Sequence, residues 1–266
     1  MSVILVTGDH PRHRYLANAL GGAGLLKALV VEGREKMNPK APEGITARLS
    51  ALFDHHFDKR RLAEERHFGD ASVAFPKVPT MVTDMAHLNA AEVRDFLGCH
   101  KASVLLSYGV HMLAEPTLRA AKVDYRWNLH GGLSPWYRGC ITHFWPSYLL
   151  EPQMTGCTIH ELTAELDFGP VVQQSVADLV PGDGLHDLSC RAVKKAIDQL
   201  PALISAAGKN AISSVSHRTT GRLWRAADWR PEHLEVIYSL YQDQIVDRYL
   251  AGELVQSEPR LIVQRC

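Results

Sequence analysis

The sequence has few cysteines, and their spacing is not that of a disulfide-rich or metal-binding protein. Its 266 residues include five cysteines, an odd number with no CxxC pair. A disulfide framework is therefore not expected, and a reducing compartment fits better. The histidines at positions 55, 56, 87 and 100 also lack metal-ligand spacing, so we expect surface side chains there and no metal site. The cysteines are Cys99, Cys140, Cys157, Cys190 and Cys266.

The chain also lacks a long apolar run and an excess of one charge. No stretch approaches the roughly 20 apolar residues that cross a bilayer, so no membrane partner is expected. The first ten residues lack the positive region and cleavage site of a signal peptide, and we expect a cytoplasmic protein. Lys plus Arg and Asp plus Glu both number 29, which argues against a nucleic-acid partner. The first βα loop has no GxGxxG motif, which argues against a nicotinamide cofactor.

What is present is an alternation of short apolar strands and amphipathic helices. Residues 3–7 form a β-branched run, residues 15–20 have helical spacing, and residues 25–31 form a second apolar run. A strand, a helix and a second strand at this spacing are typical of a βαβ unit. Further strands are predicted at 78–82, 102–106, 126–129, 157–162 and 171–176, the last two as a pair. The sequence therefore predicts an α/β fold with a Rossmann-like, mostly parallel sheet flanked by helices.

The pattern changes after a long predicted helix over residues 185–207. From residue 213 it shows aromatic and basic residues, then a predicted helix over 231–250 and a β-like tail over 260–264. We therefore predict a catalytic domain over 1–207 and a small C-terminal appendage over 208–266. Residues 45–68 predict one or two amphipathic helices whose role the sequence does not reveal.

Asn128 and His130 are the first candidates for chemistry. Residues two apart on a strand face the same way, so both side chains point to one spot. The amide can donate to a polarised carbonyl, and imidazole titrates near neutral pH. In isolation, the pair is better explained as a loop-capping histidine beside a core asparagine.

Asp167 lies in the sequence LDFGP, whose Phe168-Gly169-Pro170 fixes a tight turn. A carboxylate in such a turn is held rigidly. Taken alone, this aspartate is explained by turn chemistry. The combination matters more, because NxH, PWYRG, TGCTIH and LDFGP follow one another within residues 127–174.

This segment resembles the folate-dependent formyltransferase family, which includes glycinamide ribonucleotide transformylase, methionyl-tRNA formyltransferase and the sugar-nucleotide N-formyltransferases. A weaker resemblance extends over residues 1–205. By this resemblance Asn128, His130 and Asp167 form the catalytic triad. One departure is Gly131-Gly132, where relatives usually have a proline after the histidine, and it raises the question of how rigid the loop is.

The resemblance implies N10-formyltetrahydrofolate as formyl donor and a small molecule with a primary amine as acceptor. Attack of the amine on the formyl carbon makes an oxyanion, to which Asn128 would donate. His130 would take the amine proton or, as a cation, stabilise the oxyanion. Asp167 would orient His130 or pass the proton through water.

Two loops are candidates for ligand binding. The loop after the strand at 102–106 would hold the folate, and the alternative is a plain strand-to-helix connection. The first loop combines basic residues with a helix start, which favours a phosphate, although a solvated helix start explains it equally well. The predicted folate residues are Tyr108, Gly109, Val110, His111, Met112 and Leu113, and the predicted acceptor residues are His10, Arg12, Arg14, Tyr137 and Arg138.

The acceptor itself stays open at this stage. The short segment after residue 207 favours a nucleotide-linked amino sugar over glycinamide ribonucleotide or methionyl-tRNA. The basic first loop, where Arg12 or Arg14 could hold a diphosphate, and the aromatic cluster Trp136, Tyr137, Phe144 and Trp145 favour the same acceptor. Hydrolysis of the formyl-folate is an alternative, because water can replace the amine at the same triad. A silent folate-binding protein is a third, and the intact triad argues against it. A homodimer is compatible with the sequence.

Overall fold

The computed structural model describes residues 1–33, 38–70, 72–163, 166–209, 212–217 and 221–264. A seven-stranded sheet forms its centre, and a separate pair of two-residue strands lies beside it. The strands are β1 (Val3–Thr7), β2 (Leu26–Glu32), β3 (Thr80–Thr83), β4 (Val104–Tyr108), β5 (Tyr125–His130), β6 (Arg138–Gly139), β7 (Gly156–Glu161), β8 (Val171–Val176) and β9 (Leu223–Trp224).

The strand order in the large sheet is β3-β2-β1-β4-β5-β7-β8. Pairing is parallel from β3 to β5, and β7 and β8 join antiparallel. Every residue of β1 and β4 is buried, as expected for parallel strands covered on both faces. The prediction of a Rossmann-like, mostly parallel sheet is confirmed, as is the pairing of the two strands around Asp167.

Helices cover both faces of the sheet. They are α1 (Pro11–Gly22), α2 (Ala47–Phe68), α3 (Ala91–Cys99), α4 (Glu115–Ala120), α5 (Trp145–Tyr148), α6 (Leu185–Ala207) and α7 (Ile245–Leu250). Successive side chains of β1 point to opposite faces. Val3 and Leu5 therefore pack in the core with α1 and α6, while Ile4 and Val6 pack in the core with α3 and α4. The uncertain segment 45–68 is a single helix, and α6 has the predicted bounds.

The predicted helix over residues 231–250 is wrong. A 3₁₀ turn (Pro231–His233) and a π-helix (Glu235–Leu240) precede α7, and Gln242 and Asp243 interrupt the path with φ of 54° and 60°. Long-range contacts of the Asp243 side chain explain this conformation. Its carboxylate accepts the Leu185 N–H at the start of α6 (2.9 Å) and the Lys59 ammonium of α2 (2.5 Å).

The predicted tail strand over residues 260–264 is also not formed as such. The tail still lies beside β8, because the Gln174 N–H donates to the Ile262 carbonyl (2.7 Å). Further contacts join residues after 208 to the rest of the chain, including parallel pairing of β9 with β6. The boundary between residues 207 and 208 stays a prediction.

A third apolar cluster lies between α2, the start of α6 and the C-terminal segment. It includes Phe53, Trp145, Leu185, Trp224 and Ile237. The cysteines at 99, 140, 157 and 190 are free thiols, and Cys266 lies outside the described residues. Among the helices that the structure describes, none has the length and apolarity needed to span a membrane.

Candidate active site

A cleft opens where β4 and β5 end and where β7 leads into the turn at Asp167. In a sheet of this type, ligands bind outside the carboxyl ends of the strands. The cleft brings the loop after β4 against two of the three predicted catalytic residues, Asn128 and Asp167. Its lining consists of Ser107, Val110, His111, Met112, Leu113, Asn128, His160, Leu162, Thr163, Leu166 and Asp167.

The Asn128 side chain is held in one orientation by its neighbours. The Ser107 hydroxyl donates to Asn128 Oδ1 (2.8 Å), which leaves the amide hydrogens pointing the other way. Those hydrogens are directed to His160 Nε2 (3.1 Å) and to Asp167 Oδ1 (3.4 Å). Since His160 Nδ1 lies 2.8 Å from the Glu161 carbonyl, which can only accept, His160 Nε2 is free to accept from Asn128. The longer contact to Asp167 is the weaker one and the easier to redirect.

Asp167 is a buried carboxylate at the centre of this network. Oδ2 accepts the Gly139 N–H (2.9 Å) and lies 3.3 Å from His130 Nδ1, and Oδ1 lies 3.4 Å from His160 Nε2. Burial alone would raise the pKa of Asp167, but the positive charge that His130 and His160 carry when protonated, together with the Gly139 N–H, favours the anion and lowers the pKa to about 2. Its backbone has φ of 47°, a left-handed conformation that aspartate tolerates better than most residues. The carboxylate is therefore ionised and fixed in place at neutral pH.

His130 lies behind Asp167 and is not part of the cleft lining. Its Nε2 lies 2.7 Å from the Tyr137 carbonyl, so Nε2 bears the proton of the neutral ring. Nδ1 then faces the Asp167 carboxylate, and a proton on Nδ1 would be stabilised by that negative charge. Burial lowers the pKa of His130 below its ordinary value, and the Asp167 carboxylate opposes that shift. Nδ1 is consequently the position at which this ring would take up a proton.

Steric crowding explains why residues 131 and 132 are both glycine. A Cβ at Gly132 would lie 2.3 Å from the Tyr137 carbonyl oxygen and 2.5 Å from His130 Nε2. A Cβ at Gly131 would lie 3.1 Å from the His143 ring. Since these distances are shorter than ordinary contacts, Gly132 lets the loop pack directly on the His130 ring and Gly131 lets it approach the His143 ring.

The loop that forms the apolar wall of the cleft is anchored at two points. Buried Glu32, at the end of β2, accepts the His111 N–H (2.9 Å) and also contacts His111 Nδ1. Asn89 donates to the Met112 carbonyl (3.0 Å) and accepts the Ala114 N–H (2.7 Å). The loop is therefore preorganised, with Val110, Met112 and Leu113 lining the cleft.

Tyr108 and Gly109, also predicted to bind folate, lie outside that lining. The Tyr108 side chain is buried in the sheet core. Gly109 has φ of 63°, and a Cβ there would lie 2.4 Å from His13 Nε2. Gly109 thus permits the turn and the close approach of α1.

The predicted acceptor residues of the first loop lie in or next to α1, which begins at Pro11. Arg12 forms a buried ion pair with Glu64 of α2, and this ion pair lowers the pKa of Glu64 to about 2 against the effect of burial. Arg14 donates to the Asp9 and Val73 carbonyls and covers the Phe75 ring. His10 is buried as the residue before the helix. Both arginines are therefore engaged within the protein and not directed at the cleft.

Tyr137 and Arg138 are buried as well. The Tyr137 hydroxyl donates to Glu151 (2.7 Å), and Arg138 donates to the Leu166 carbonyl (2.7 Å) and covers the Phe168 ring. Their side chains support the loop and the Asp167 turn and do not line the cleft.

The sequence reasoning missed His160, Ser107 and Glu32 as site residues. His160 is the last residue of the TGCTIH motif and lies two residues after Thr158 on β7, so the sequence indicated that the two side chains share a face. Glu32 gave no such signal, because its partner His111 lies 79 residues away. The prediction of a surface position for His56 is wrong. It is buried against Tyr238 (2.9 Å) and His186 (3.2 Å).

Comparison with known proteins identifies a family. The family model described as Formyl transferase matches residues 45–204. A curated relative, the bifunctional polymyxin resistance protein ArnA of Wigglesworthia glossinidia brevipalpis, is 34% identical over 89 residues. That match takes in 33% of this chain and 13% of the relative, so the chain corresponds to a small part of that protein.

Solved structures share the fold at low identity. A sugar N-formyltransferase from a Shewanella species is 14% identical with a TM-score of 0.56, covering 90% of this chain and 88% of its own. The N-formyltransferase of Helicobacter canadensis, in complex with folinic acid and dTDP-3-aminofucose, is 13% identical with a TM-score of 0.55, covering 86% and 73%. Phosphoribosylglycinamide formyltransferase of Anaplasma phagocytophilum is 16% identical with a TM-score of 0.54, covering 84% and 97%.

Proposed function

This chain belongs to the formyl transferase family, and we propose that it transfers a formyl group from N10-formyltetrahydrofolate to the primary amine of a nucleotide-linked amino sugar. The observation that supports this most is the cleft itself. An anchored apolar loop forms one side, and Asn128, His160 and an ionised Asp167 form the other. A reactive carbonyl held between the two sides meets hydrogen-bond donors and a carboxylate within one small volume.

The cleft residues fit a reduced folate. Val110, Met112 and Leu113 offer an apolar surface for a flat heterocycle, and Leu162 adds to it. Backbone groups of the same loop are fixed by Glu32 and Asn89, so the surface is formed before any ligand binds. The folate would supply the activated formyl group.

Asn128 is suited to stabilise negative charge on the formyl oxygen. Its amide hydrogens point to His160 and Asp167 because Ser107 holds Oδ1. The long contact to Asp167 leaves one N–H available to a better acceptor. A donor of this kind contributes about 10²–10³ in rate in comparable enzymes.

His130 and Asp167 are suited to receive the proton that the amine loses. Asp167 lines the cleft, whereas His130 Nδ1 lies 3.3 Å behind the carboxylate. A proton that leaves the amine through Asp167 or a bound water can be held on Nδ1, next to the negative carboxylate. Because the Tyr137 carbonyl fixes Nε2, the ring is already in the orientation that this role requires.

The amino-sugar acceptor is supported by the Helicobacter canadensis structure, which is a complex with folinic acid and dTDP-3-aminofucose. Within this chain, Trp136 is 40% exposed and can stack on a sugar or base, while Tyr137, Phe144 and Trp145 are buried. Arg12 and Arg14 are no longer proposed as diphosphate contacts, since both have partners in the protein.

A competition experiment tests the acceptor. The protein is incubated with N10-formyltetrahydrofolate and an equimolar mixture of amino-sugar nucleotide, glycinamide ribonucleotide and charged initiator tRNA. We expect the sugar nucleotide to gain one CO unit by mass spectrometry. Preferential formylation of glycinamide ribonucleotide or of the tRNA would contradict the proposed amino-sugar acceptor. Release of formate without a formylated product would favour hydrolysis of the folate. A cytoplasmic location, a homodimer and the absence of a nucleic-acid partner stay predictions.

A further inference from the structure

Residues 221–224 lie beyond the family match, yet they run along the loop that supports the triad. We propose that this segment, segment 221–224, is a positioning element for the reaction: it fixes residues 135–140, and these hold His130 and Asp167 in place. The proposal rests on the proposed function, because it assumes that His130 and Asp167 take part in formyl transfer.

Residues 135–140 make two direct contacts with the pair. The Tyr137 carbonyl accepts from His130 Nε2 (2.7 Å), and the Gly139 N–H donates to Asp167 Oδ2 (2.9 Å). The first contact sets the orientation of the imidazole ring. The second holds the carboxylate on the side that faces His130. Displacement of this loop would therefore disturb both residues at once.

Segment 221–224 holds the loop through a series of backbone hydrogen bonds. The Arg222 N–H donates to the Pro135 carbonyl (3.0 Å), and its carbonyl accepts the Arg138 N–H (3.2 Å). The Trp224 carbonyl accepts the Cys140 N–H (2.8 Å), and the indole Nε1 donates to the Trp136 carbonyl (3.3 Å). Bonds flank Tyr137 and Gly139 on both sides.

The main chains of segment 221–224 and residues 135–140 are also closely packed. Gly221 has φ of 58°, and a Cβ there would lie 1.8 Å from the Pro135 carbonyl oxygen. Gly139 has φ of 93°, and a Cβ there would lie 2.1 Å from the Trp224 carbonyl oxygen. The Trp224 ring is buried and stacks on Tyr137 and Trp145, with centroids 6.2 and 4.2 Å apart. The segment is thus locked to the loop by main chain and side chain.

Gly221→Ala is the sharpest test, because it pushes on Pro135 and changes no residue of the site. Gly252→Ala is its matched control. Gly252 also lies in the C-terminal segment with φ of 76°, but nothing lies within 4 Å of its added Cβ. Both variants therefore carry the same backbone strain, and only Gly221→Ala carries the clash.

We expect Gly221→Ala to lower kcat by about 10–100-fold, because a small misplacement of a catalytic group has this effect. The KM for folate should change less than about threefold, since Val110, Met112 and Leu113 on the folate side of the cleft make no contact with the segment. Gly252→Ala should keep wild-type kinetics. A folded Gly221→Ala with the kinetics of Gly252→Ala would overturn the proposal.

An NMR titration of the His130 ring gives a readout that needs no turnover. The ring faces Asp167, His160, Arg138 and His143, and burial lowers its pKa. Loosening the loop admits water, so in Gly221→Ala the His130 pKa should rise toward its ordinary value of about 6.5. An unchanged titration would contradict the proposal. If the wild-type protein transfers no formyl group, the proposed function is contradicted. The positioning role of segment 221–224 is still tested in that case, because the titration does not need turnover.

Trp224→Phe covers the case in which Gly221→Ala does not fold. It keeps an aromatic ring in the stack but removes the indole N–H that donates to the Trp136 carbonyl, together with part of the ring area that packs on Tyr137 and Trp145. We expect a fall in kcat of about two- to fivefold at unchanged KM for folate, the effect of one neutral hydrogen bond. The His130 pKa should move in the same upward direction. Wild-type kcat together with a wild-type titration would overturn the proposal.

Discussion

Asp167 illustrates how a charge is kept in a buried position. An isolated carboxylate in such a place would be protonated, because burial penalises the anion. Here, groups on three strands face its two oxygens: His130 and Asn128 on β5, Gly139 on β6 and His160 on β7. The pKa of about 2 follows from this arrangement. The same arrangement leaves His130 Nδ1 beside a fixed negative charge.

Met112 provides a test of the folate surface at the level of one side chain. Met112→Asp should weaken folate binding by about tenfold or more, because a charge would lie against an apolar ring. Binding of the amine substrate should change little. Titration calorimetry with each ligand separately measures both effects.

Met85→Asp is the matched control for that substitution. Met85 is 65% exposed and Met112 66%, but Met85 does not line the cleft. It should bind folate as the wild type does. Equal losses in the two variants, or equal losses for both ligands in Met112→Asp, would show that the loop does not hold the folate.

The side of a strand to which a residue points could be predicted from the sequence. The partners of charged residues could not. Alternation along a strand predicted that Asn128 and His130 point to one side. The basic character of the first loop suggested phosphate, yet Arg12 pairs with Glu64, 52 residues away on α2. No local pattern contains that contact. The same applies to His56, whose partners lie on α6 and in the C-terminal segment.

At the scale of elements, α6 connects the catalytic part of the chain with the C-terminal segment. Its first turn begins after Gly184, which provides no capping side chain. Asp243 supplies the missing acceptor from a distant part of the chain, bonding the Leu185 N–H (2.9 Å). A Cβ at Gly184 would lie 2.4 Å from the Asp243 carboxylate, so the glycine makes room for this cap.

Asp243→Ala should lower the free energy of unfolding by about 2–3 kcal/mol. It removes a helix cap and leaves the buried Leu185 N–H and the Lys59 ammonium without this acceptor. Asp243→Asn keeps an oxygen for Leu185 and should lose less. Asp178→Ala removes an exposed ion pair with Lys195 and should change stability by less than about 1 kcal/mol. Urea unfolding of the three variants checks the order, and an Asp243→Ala no less stable than Asp178→Ala would contradict the cap.

The same contact explains which elements were predictable. The bounds of α6 follow from a local apolar pattern and were predicted to the residue. The broken path after residue 230 depends on Asp243 reaching α6, a contact across 58 residues that no local pattern contains. Helical periodicity was present in that stretch, but tertiary contacts decided its conformation.

For the whole molecule, three histidines with strongly lowered pKa values contribute to the response to acid. His56, His143 and His186 are surrounded by apolar and basic groups, and burial is the largest cause of their lowered pKa values. The pKa of His56 and of His143 is about 3, and that of His186 lies well below the ordinary value. In the unfolded chain all three would titrate near pH 6.5.

Stability should therefore fall as the pH drops below about 6.5. The unfolded state then binds three protons that the folded state does not, which gives a slope of about 4 kcal/mol per pH unit between roughly pH 5.5 and 4. His143→Gln should reduce that slope by about 1.4 kcal/mol per pH unit, one proton's share. Urea unfolding at several pH values measures the slope, and a flat profile in this window would contradict the burial of neutral histidines.

The most direct test of the account is the turnover of Asp167→Asn with N10-formyltetrahydrofolate and an amino-sugar nucleotide. The amide keeps the shape of Asp167 but removes the negative charge that faces His130 Nδ1 at 3.3 Å. We expect kcat to fall by about a hundredfold or more, with folate binding unchanged within about threefold. Turnover close to that of the wild type would contradict the central claim that formyl transfer takes place at Asn128, His130 and Asp167.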